Sequence, residues 1–180
     1  MKSIAYNFLN RPLKRLFLLL FSSSLLLVYS CGSSRGSNDK ITEYDDLQQL
    51  VSSREFAVEN QWLQPLTGSR VNLIGNTNYM RFKNDSVKVF LPYYGERHSG
   101  GAYDREGGIT YEGPLQNLEI EENPDAGRIK MSFEGRHDSE NLWFTLIMFP
   151  NGKVDTSVRS SQRNSISYDG ELEPLPEKYK

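Results

Sequence analysis

The pattern of hydrophobic and polar positions divides the chain into three parts. An apolar run extends from Leu16 to Val28, and a polar stretch follows it up to residue 41. Apolar residues then recur at helical spacing, at Leu47, Leu50 and Val51. From residue 56 onward they alternate with polar residues, which is typical of β-strands. The pattern therefore predicts a short helix, with Thr42 as its N-cap, and then a series of strands.

Turn residues divide the third part into short strands. Asn84-Asp85 and Pro150-Asn151-Gly152 have the composition of hairpin turns. We predict a mainly β (α+β) fold: a single antiparallel β-sheet domain over residues 42–170, curled into a barrel or sandwich, with one short N-terminal helix. Residues 171–180 are expected to form a disordered tail. The predicted strands comprise residues 56–62, 71–74, 79–82, 86–91, 109–111, 118–121, 128–134, 142–149, 153–159 and 166–168.

The strand over residues 142–149 is apolar on both faces. Trp143 and Ile147 point to one side of it, and Phe144 and Leu146 point to the other. A strand of this kind needs cover on both sides. We therefore expect the sheet to curl, or the helix to pack on its second face.

The start of the chain has the features of a lipoprotein signal peptide. Its first 30 residues contain four basic and no acidic residues, and the apolar run is shorter than the roughly 20 residues that a membrane-spanning helix needs. Val28-Tyr29-Ser30 and the only cysteine, Cys31, resemble a lipobox. This predicts a signal peptide over residues 1–30, lipidation of Cys31 and a flexible tether through residue 41. A plain secretory signal or an uncleaved anchor is the alternative.

The expected location is the bacterial cell envelope, at the inner or outer membrane and facing the periplasm. Without the four basic residues of the signal peptide, the 21 Lys and Arg fall to 17 against 23 Asp and Glu, a net charge of about −6. Nucleic-acid binding and attraction to anionic lipid both need a basic surface. We therefore expect no nucleic-acid partner, and a membrane link through the lipid anchor alone.

The segment from Pro92 to Tyr111 is the candidate binding region. It combines tyrosines with charged residues and with five glycines that permit sharp turns. Tyrosine offers an apolar ring and a polar tip, which suits contacts with sugars, peptides and proteins. Alternatively, Pro92–Gly95 turns a corner of the sheet and its rings fill the core. The candidate binding residues are Tyr93, Tyr94, Arg97, His98, Tyr103, Asp104 and Tyr111.

Asp85-Ser86-Val87 forms a second candidate site. It resembles the acidic-hydroxyl-apolar acceptor of O-glycosylation in exported Bacteroidota proteins, which makes Ser86 a candidate O-glycosylation site. An ordinary hairpin turn explains the same residues.

No catalytic residue, cofactor or metal is predicted. The glycines near residue 108 precede no helix, as a dinucleotide loop would require, and no Gly-x-Ser-x-Gly turn is present. His98 and His137 lack the ligand spacing of a zinc site, although Asp104, Asp138 and Glu140 are near in sequence. We expect a non-enzymatic binding or structural module with an envelope protein or glycan as its partner. A carrier of a small lipid or glycan inside the curled sheet, and an envelope hydrolase, are the alternatives.

Several short elements over residues 46–170 resemble a known family. The most specific is Leu91-Pro92-Tyr93-Tyr94-Gly95, and with the others it is similar to the small Bacteroidota lipoproteins known as domain of unknown function 4251. The resemblance implies a mostly antiparallel β fold and a lipid anchor, and it brings no catalytic residues. The other matching elements are Phe56-Ala57-Val58, Pro65, Gly68, Asn78-Tyr79, Tyr103, Gly108-Ile109, Tyr111, Asn151-Gly152 and Ile166-Ser167-Tyr168-Asp169-Gly170.

Overall fold

The structure is a computed structural model that describes residues 43–98 and 107–179. In these ranges a helix precedes ten strands, and a short 3-10 helix, Glu177–Tyr179, ends the described chain. The elements are α1 (Tyr44–Ser53), β1 (Glu55–Pro65), β2 (Val71–Asn72), β3 (Tyr79–Lys83), β4 (Ser86–Pro92), β5 (Gly108–Pro114), β6 (Gln116–Asn123), β7 (Arg128–His137), β8 (Glu140–Met148), β9 (Lys153–Ser160) and β10 (Ile166–Pro174).

The strands form one antiparallel sheet that curls into a nearly closed barrel. Nine strands follow the order β5-β4-β3-β1-β10-β9-β8-β7-β6, and β2 pairs with β1 beside this path. The barrel closes where Tyr111 of β5 packs against Gly135 of β7. The contact is so close that a Cβ atom at residue 135 would lie 2.8 Å from the tyrosine ring. Strand β6 continues the sheet beyond this contact. The prediction of an antiparallel, curled sheet with one short helix is confirmed.

The inside of the barrel holds one continuous hydrophobic cluster. The rings of Phe56 and Phe82 stack with their centroids 4.4 Å apart, and those of Phe133 and Phe144 stack at 4.7 Å. Burial alternates along β4, β7, β8, β9 and β10, as expected when one face of a strand points inward. The interior is therefore filled by side chains from most of the strands and from α1.

The hairpin between β3 and β4 follows from its turn residues. Asn84 has a φ of 54°, in the left-handed region that asparagine tolerates better than most residues. The β8–β9 hairpin turns through Gly152, which has a φ of 77°. Both turns were expected from the sequence.

The two ends of the domain differ from prediction. The N-cap of α1 is Glu43, whose side chain makes no capping hydrogen bond, and Thr42 lies outside the described residues. The expectation of a disordered tail is wrong for residues 171–179. Strand β10 continues to Pro174, which pairs with Phe56, and Leu175 is buried. Apolar residues after residue 170 thus stabilise the end of the chain against β1.

The outer face of β8 is covered only in part, contrary to the expectation for this strand. Leu142, Phe144 and Leu146 are buried on the inner face, whereas Trp143 and Ile147 are half-buried. Arg159 of β9 lies over the Trp143 ring, with its guanidinium carbon 5.9 Å from the ring centroid. A long side chain from the neighbouring strand therefore covers part of the outer face in place of a second layer.

Candidate functional site

Part of the predicted binding region lies at one end of the barrel, against the β9–β10 turn. The backbone N–H of His98 donates to Gln162 O at 2.7 Å, and Asn164 N–H donates to Glu96 O at 3.1 Å. His98 Nε2 lies 2.6 Å from Asn164 Oδ1. We call this group the barrel-end cluster, and its side chains belong to Tyr93, Arg97, His98, Glu140, Arg163 and Asn164.

A buried ion pair forms the centre of the barrel-end cluster. The Arg163 side chain is 4% exposed and that of Glu140 is 5% exposed. Arg163 donates from Nε and Nη2 to the two carboxylate oxygens of Glu140, at 2.7 and 2.8 Å, and from Nη1 to Gly108 O at 2.9 Å. Ser160 also donates to Glu140, and Arg97 lies 3.8 Å from its carboxylate. This bidentate geometry is the strong form of an arginine–carboxylate contact.

The environment of Glu140 favours its charged form. Burial by itself would raise the pKa of this carboxyl. The hydrogen bonds from Arg163 and Ser160, together with the charges of Arg163 and Arg97, outweigh burial and hold the pKa of Glu140 below its ordinary value. The carboxylate is therefore ionised and paired at neutral pH.

Two tyrosines connect the barrel-end cluster to the sheet. Tyr93 donates from Oη to Glu96 O at 2.8 Å, and the Arg163 guanidinium carbon lies 5.1 Å from its ring centroid. Tyr168 is fully buried and donates to Pro92 O at 2.7 Å. Burial raises the pKa of both phenols, so both stay protonated as donors. Tyr93 thus holds the loop that follows β4.

The remaining predicted binding residues do not form one group. Tyr94 is 51% exposed. Tyr111 is buried, donates to Pro114 O at 2.5 Å and stacks on Phe144 with a centroid distance of 6.3 Å. Tyr103 and Asp104 lie outside the described residues. The region therefore contributes core, loop-fixing and exposed side chains.

The candidate glycosylation residue lies at a hairpin. Ser86 is exposed at the first position of β4. Its neighbour Asp85 forms an ion pair with Arg54, and Asp85 O accepts from Leu115 N–H at 2.8 Å. The Asp85 carboxylate of the acceptor-like motif is therefore held by a partner in the domain, while the hydroxyl of Ser86 is accessible.

No group of three His, Cys, Asp or Glu side chains in residues 43–98 and 107–179 could hold a metal ion. His98 contacts Asn164 at the barrel end, whereas His137 Nε2 lies 3.4 Å from Thr110 Oγ1 at the end of β7. The two histidines thus have different neighbours.

A groove of about 740 Å³ lies on the outer face of β3, β4 and β5. The strand register places Tyr79, Phe90 and Thr110 side by side across these strands. The rings of Tyr79 and Phe90 have centroids 6.0 Å apart and are tilted by 34°. This volume lies within the range of ligand pockets, about 300 to 1,000 Å³. We call this feature the outer groove, and its lining residues are Thr77, Tyr79, Lys88, Val89, Phe90, Thr110, Tyr111, Glu112 and His137.

Polar and charged side chains lie beside the two rings of the outer groove. Lys88 Nζ lies 2.7 Å from Glu112 Oε2, and the hydrogen bond and charge of Glu112 raise the pKa of Lys88. Thr110 and His137 add a hydroxyl and an imidazole. The groove therefore combines an aromatic surface with donors and acceptors, the mixture that fixes the orientation of a polar ligand.

The C-terminal segment borders the outer groove. The guanidinium carbon of Arg81 lies 3.7 Å from the ring centroid of Tyr79 and 3.6 Å from that of Tyr179. Arg81 is thus held between two aromatic rings by cation–π contacts. These contacts fix Tyr79, and they keep the 3-10 helix next to the groove.

Sequence reasoning missed both the outer groove and the main partners in the barrel-end cluster. The sequence pattern could have indicated Phe90, because it is an apolar residue on the outward face of β4, where the other residues, Ser86 and Lys88, are polar. Arg163 and Asn164 carried none, since nothing in a polar turn indicates that a distant loop will contact it. Cys31 lies outside the described residues. Within those residues, no helix is long and apolar enough to span a membrane.

Comparisons with known proteins identify a family and a solved structure with a similar fold. The model of the family DUF4251, a domain of unknown function, matches residues 38–172. The chain is also similar to a solved structure described as a DUF4251 family protein from Bacteroides eggerthii DSM 20697. The two chains share 16% sequence identity with a TM-score of 0.59, over 77% of this chain and 92% of the other. None of the curated proteins is similar to this chain.

Proposed function

The chain belongs to the DUF4251 family, whose function is unknown, and from this premise we propose that it is a lipid-anchored, non-enzymatic module of the bacterial cell envelope that binds a glycan in the outer groove. In this proposal the lipidated Cys31 holds the domain at a membrane, facing the periplasm. The observation that carries the binding role is the pair of adjacent rings, Tyr79 and Phe90, beside polar side chains in a groove of about 740 Å³.

The chemistry of the outer groove suits a sugar. The faces of pyranose rings are apolar and pack on aromatic side chains, while their hydroxyl groups need donors and acceptors at the edges. Tyr79 and Phe90 supply the aromatic rings, and Lys88, Glu112 and Thr110 supply the donors and acceptors. Charged groups at the groove are paired with each other, so a neutral ligand rich in hydroxyl groups fits better than a strongly charged one.

Two other roles have less support. The interior is filled by stacked rings and aliphatic side chains, which weighs against carriage of a lipid or glycan inside the barrel. The polar groups of the barrel-end cluster bond to one another, which weighs against a hydrolytic centre there.

Calorimetric titration with neutral oligosaccharides of the bacterial envelope tests the binding role. We expect Phe90→Ala and Tyr79→Ala to weaken binding at least tenfold, because each removes one of the two stacking surfaces. Trp143→Ala is the matched control, since it removes an aromatic ring from the outer face of β8, and it should leave affinity unchanged. Equal loss of affinity in all three variants, or no binding by the wild type, would contradict the proposal.

The anchor is tested by labelling cells with a fatty-acid probe. We expect the wild type to incorporate the probe and to partition with membranes, and Cys31→Ser to do neither. A Cys31→Ser variant that still partitions with membranes would contradict the lipid anchor and leave the groove untouched.

A further inference from the structure

Strand β6 is the last strand of the sheet, and one of its edges is unpaired within the described residues. It pairs with β7 on one side only. Nearly all of its residues are exposed, including Ile120, which is 36% exposed. An unpaired strand edge is a template on which another chain can add a strand.

The register shows which backbone groups lie on this free edge. In β8, Phe149 N–H donates to Lys153 O and Asn141 O accepts from Ser161 N–H, so odd-numbered residues bond to β9. Successive residues of a strand direct their backbone groups to opposite sides. The β7–β8 register carries this alternation across β7, so that even-numbered residues of β7 bond to β6. Glu121, which lies opposite Lys130, therefore bonds to β7. The backbone N–H and C=O of Ile120 and Glu122 point away from β7.

The two faces of β6 differ in chemistry. On the face that continues the hydrophobic interior, Ile120 lies opposite the buried Met131 and Glu122 lies opposite the buried Ile129. Gln48 of α1 donates from Nε2 to the Glu122 carboxylate at 2.7 Å, so this carboxylate already has a partner in the domain. Glu119 and Glu121 lie on the outer face, where Lys130 Nζ is 3.0 Å from Glu121 Oε1. A strand added to this edge would therefore place alternate residues beside Ile120 on the inner face and beside the carboxylates of Glu119 and Glu121 on the outer face.

We propose that the free edge of β6 binds an extended cationic peptide segment of another protein as an added antiparallel strand. Its backbone bonds to Ile120 and Glu122, its apolar residues lie beside Ile120, and its lysines or arginines lie beside Glu119 and Glu121. A second copy of this chain is a poor occupant, since pairing of two β6 edges brings like charges together. The proposal is independent of glycan binding, because β6 contributes no residue to the outer groove.

The probe is the capped heptapeptide Ser-Val-Lys-Val-Lys-Val-Ser, titrated into ¹⁵N-labelled full-length protein in mild detergent. We expect amide shifts centred on Ile120 and Glu122, and none at Tyr79 or Phe90. The matched peptide with Glu in place of Lys should bind at least tenfold more weakly, and so should a peptide with N-methylated valines. Shifts confined to the outer groove, or equal binding of all three peptides, would overturn the proposal.

Ile120→Pro is the sharpest variant. It removes an N–H that points away from β7, and proline is tolerated at such edge positions. We expect binding to weaken about tenfold, the loss of one hydrogen bond, with the melting temperature little changed. Glu119→Lys is a second variant, which keeps the backbone hydrogen-bonding groups of β6 intact, and it should also weaken binding. Unchanged affinity in Glu119→Lys, or a dimer that forms through β6 without peptide, would overturn the proposal.

Discussion

The barrel-end cluster and the outer groove both contain an ion pair beside aromatic rings, and they differ in burial: the side chains of Arg163 and Glu140 are 4% and 5% exposed, whereas those of Lys88 and Glu112 lie largely in solvent. In the barrel-end cluster, Arg163 bonds to Glu140 and to Gly108 O, and Tyr93 bonds to the backbone of its own loop. In the outer groove, Tyr79 and Phe90 line a cavity, and the Lys88–Glu112 ion pair beside them has side chains that are 50% and 71% exposed. Tyrosine, arginine and glutamate close together therefore do not by themselves indicate a binding site. Burial of the paired groups supports the fold, whereas an exposed pair beside a cavity leaves room for a ligand.

The largest expected effect is on the buried ion pair. Arg163→Ala leaves the Glu140 carboxylate buried without its main partner, and breaking such a pair costs about 3–5 kcal/mol of unfolding free energy. Arg159→Ala, which removes an arginine over the exposed face of Trp143, is the control and should cost less than about 1 kcal/mol. Urea denaturation measures both. Equal, small effects would mean that the barrel-end cluster does not stabilise the fold.

Tyr93 and Tyr94 are adjacent in sequence, but we expect only Tyr93 to stabilise the fold. Tyr93→Ala removes the hydroxyl whose single hydrogen is shared between Glu96 O and Asn164 O, together with the ring under Arg163, so we expect a loss of about 2–4 kcal/mol in the free energy of unfolding. Tyr94→Ala should change it by no more than about 0.5 kcal/mol, because the side chain is half exposed. Thermal unfolding of the two variants is the measurement. A Tyr94→Ala variant as unstable as Tyr93→Ala would contradict these roles.

The pH dependence of the free energy of unfolding distinguishes Glu140 in the barrel-end cluster from Glu112 in the outer groove. The pKa of Glu140 is lower in the folded protein than its ordinary value of 4.5, so the stability from this group is complete above that pH. It is lost as the pH falls from about 4.5 through the folded pKa. Glu140→Gln should remove this part of the acid dependence, whereas Glu112→Gln in the outer groove should not. Identical acid dependence in the wild type and Glu140→Gln would contradict the assignment.

The sequence predicted the positions of the strands better than it predicted which strands pair. Alternation and turn chemistry located the β8–β9 hairpin almost to the residue, because Pro150, Asn151 and Gly152 act locally. Strands β5 and β6 were predicted too short, since exposed edge strands such as β6 carry little hydrophobic alternation. The alternation of hydrophobic and polar residues along a strand also does not indicate which strands pair with it.

The candidate site shows the same limit. Tyr93 and Tyr111 were selected for their residue type, and both make hydrogen bonds within the domain. The outer groove depends on strand register, because Tyr79, Phe90 and Thr110 are distant in sequence and become neighbours only when β3, β4 and β5 pair. Side-chain chemistry is visible in a sequence, whereas non-local pairing is not.

Glycan binding in the outer groove is tested most directly by a ¹⁵N NMR titration of the full-length protein with a neutral envelope oligosaccharide. We expect saturating shifts of the Tyr79, Phe90 and Thr110 amide signals, with those of Glu96, Arg97 and His98 unchanged. Saturating shifts at residues 96–98 and none at the outer groove would contradict it, because the barrel-end cluster would then be the binding site.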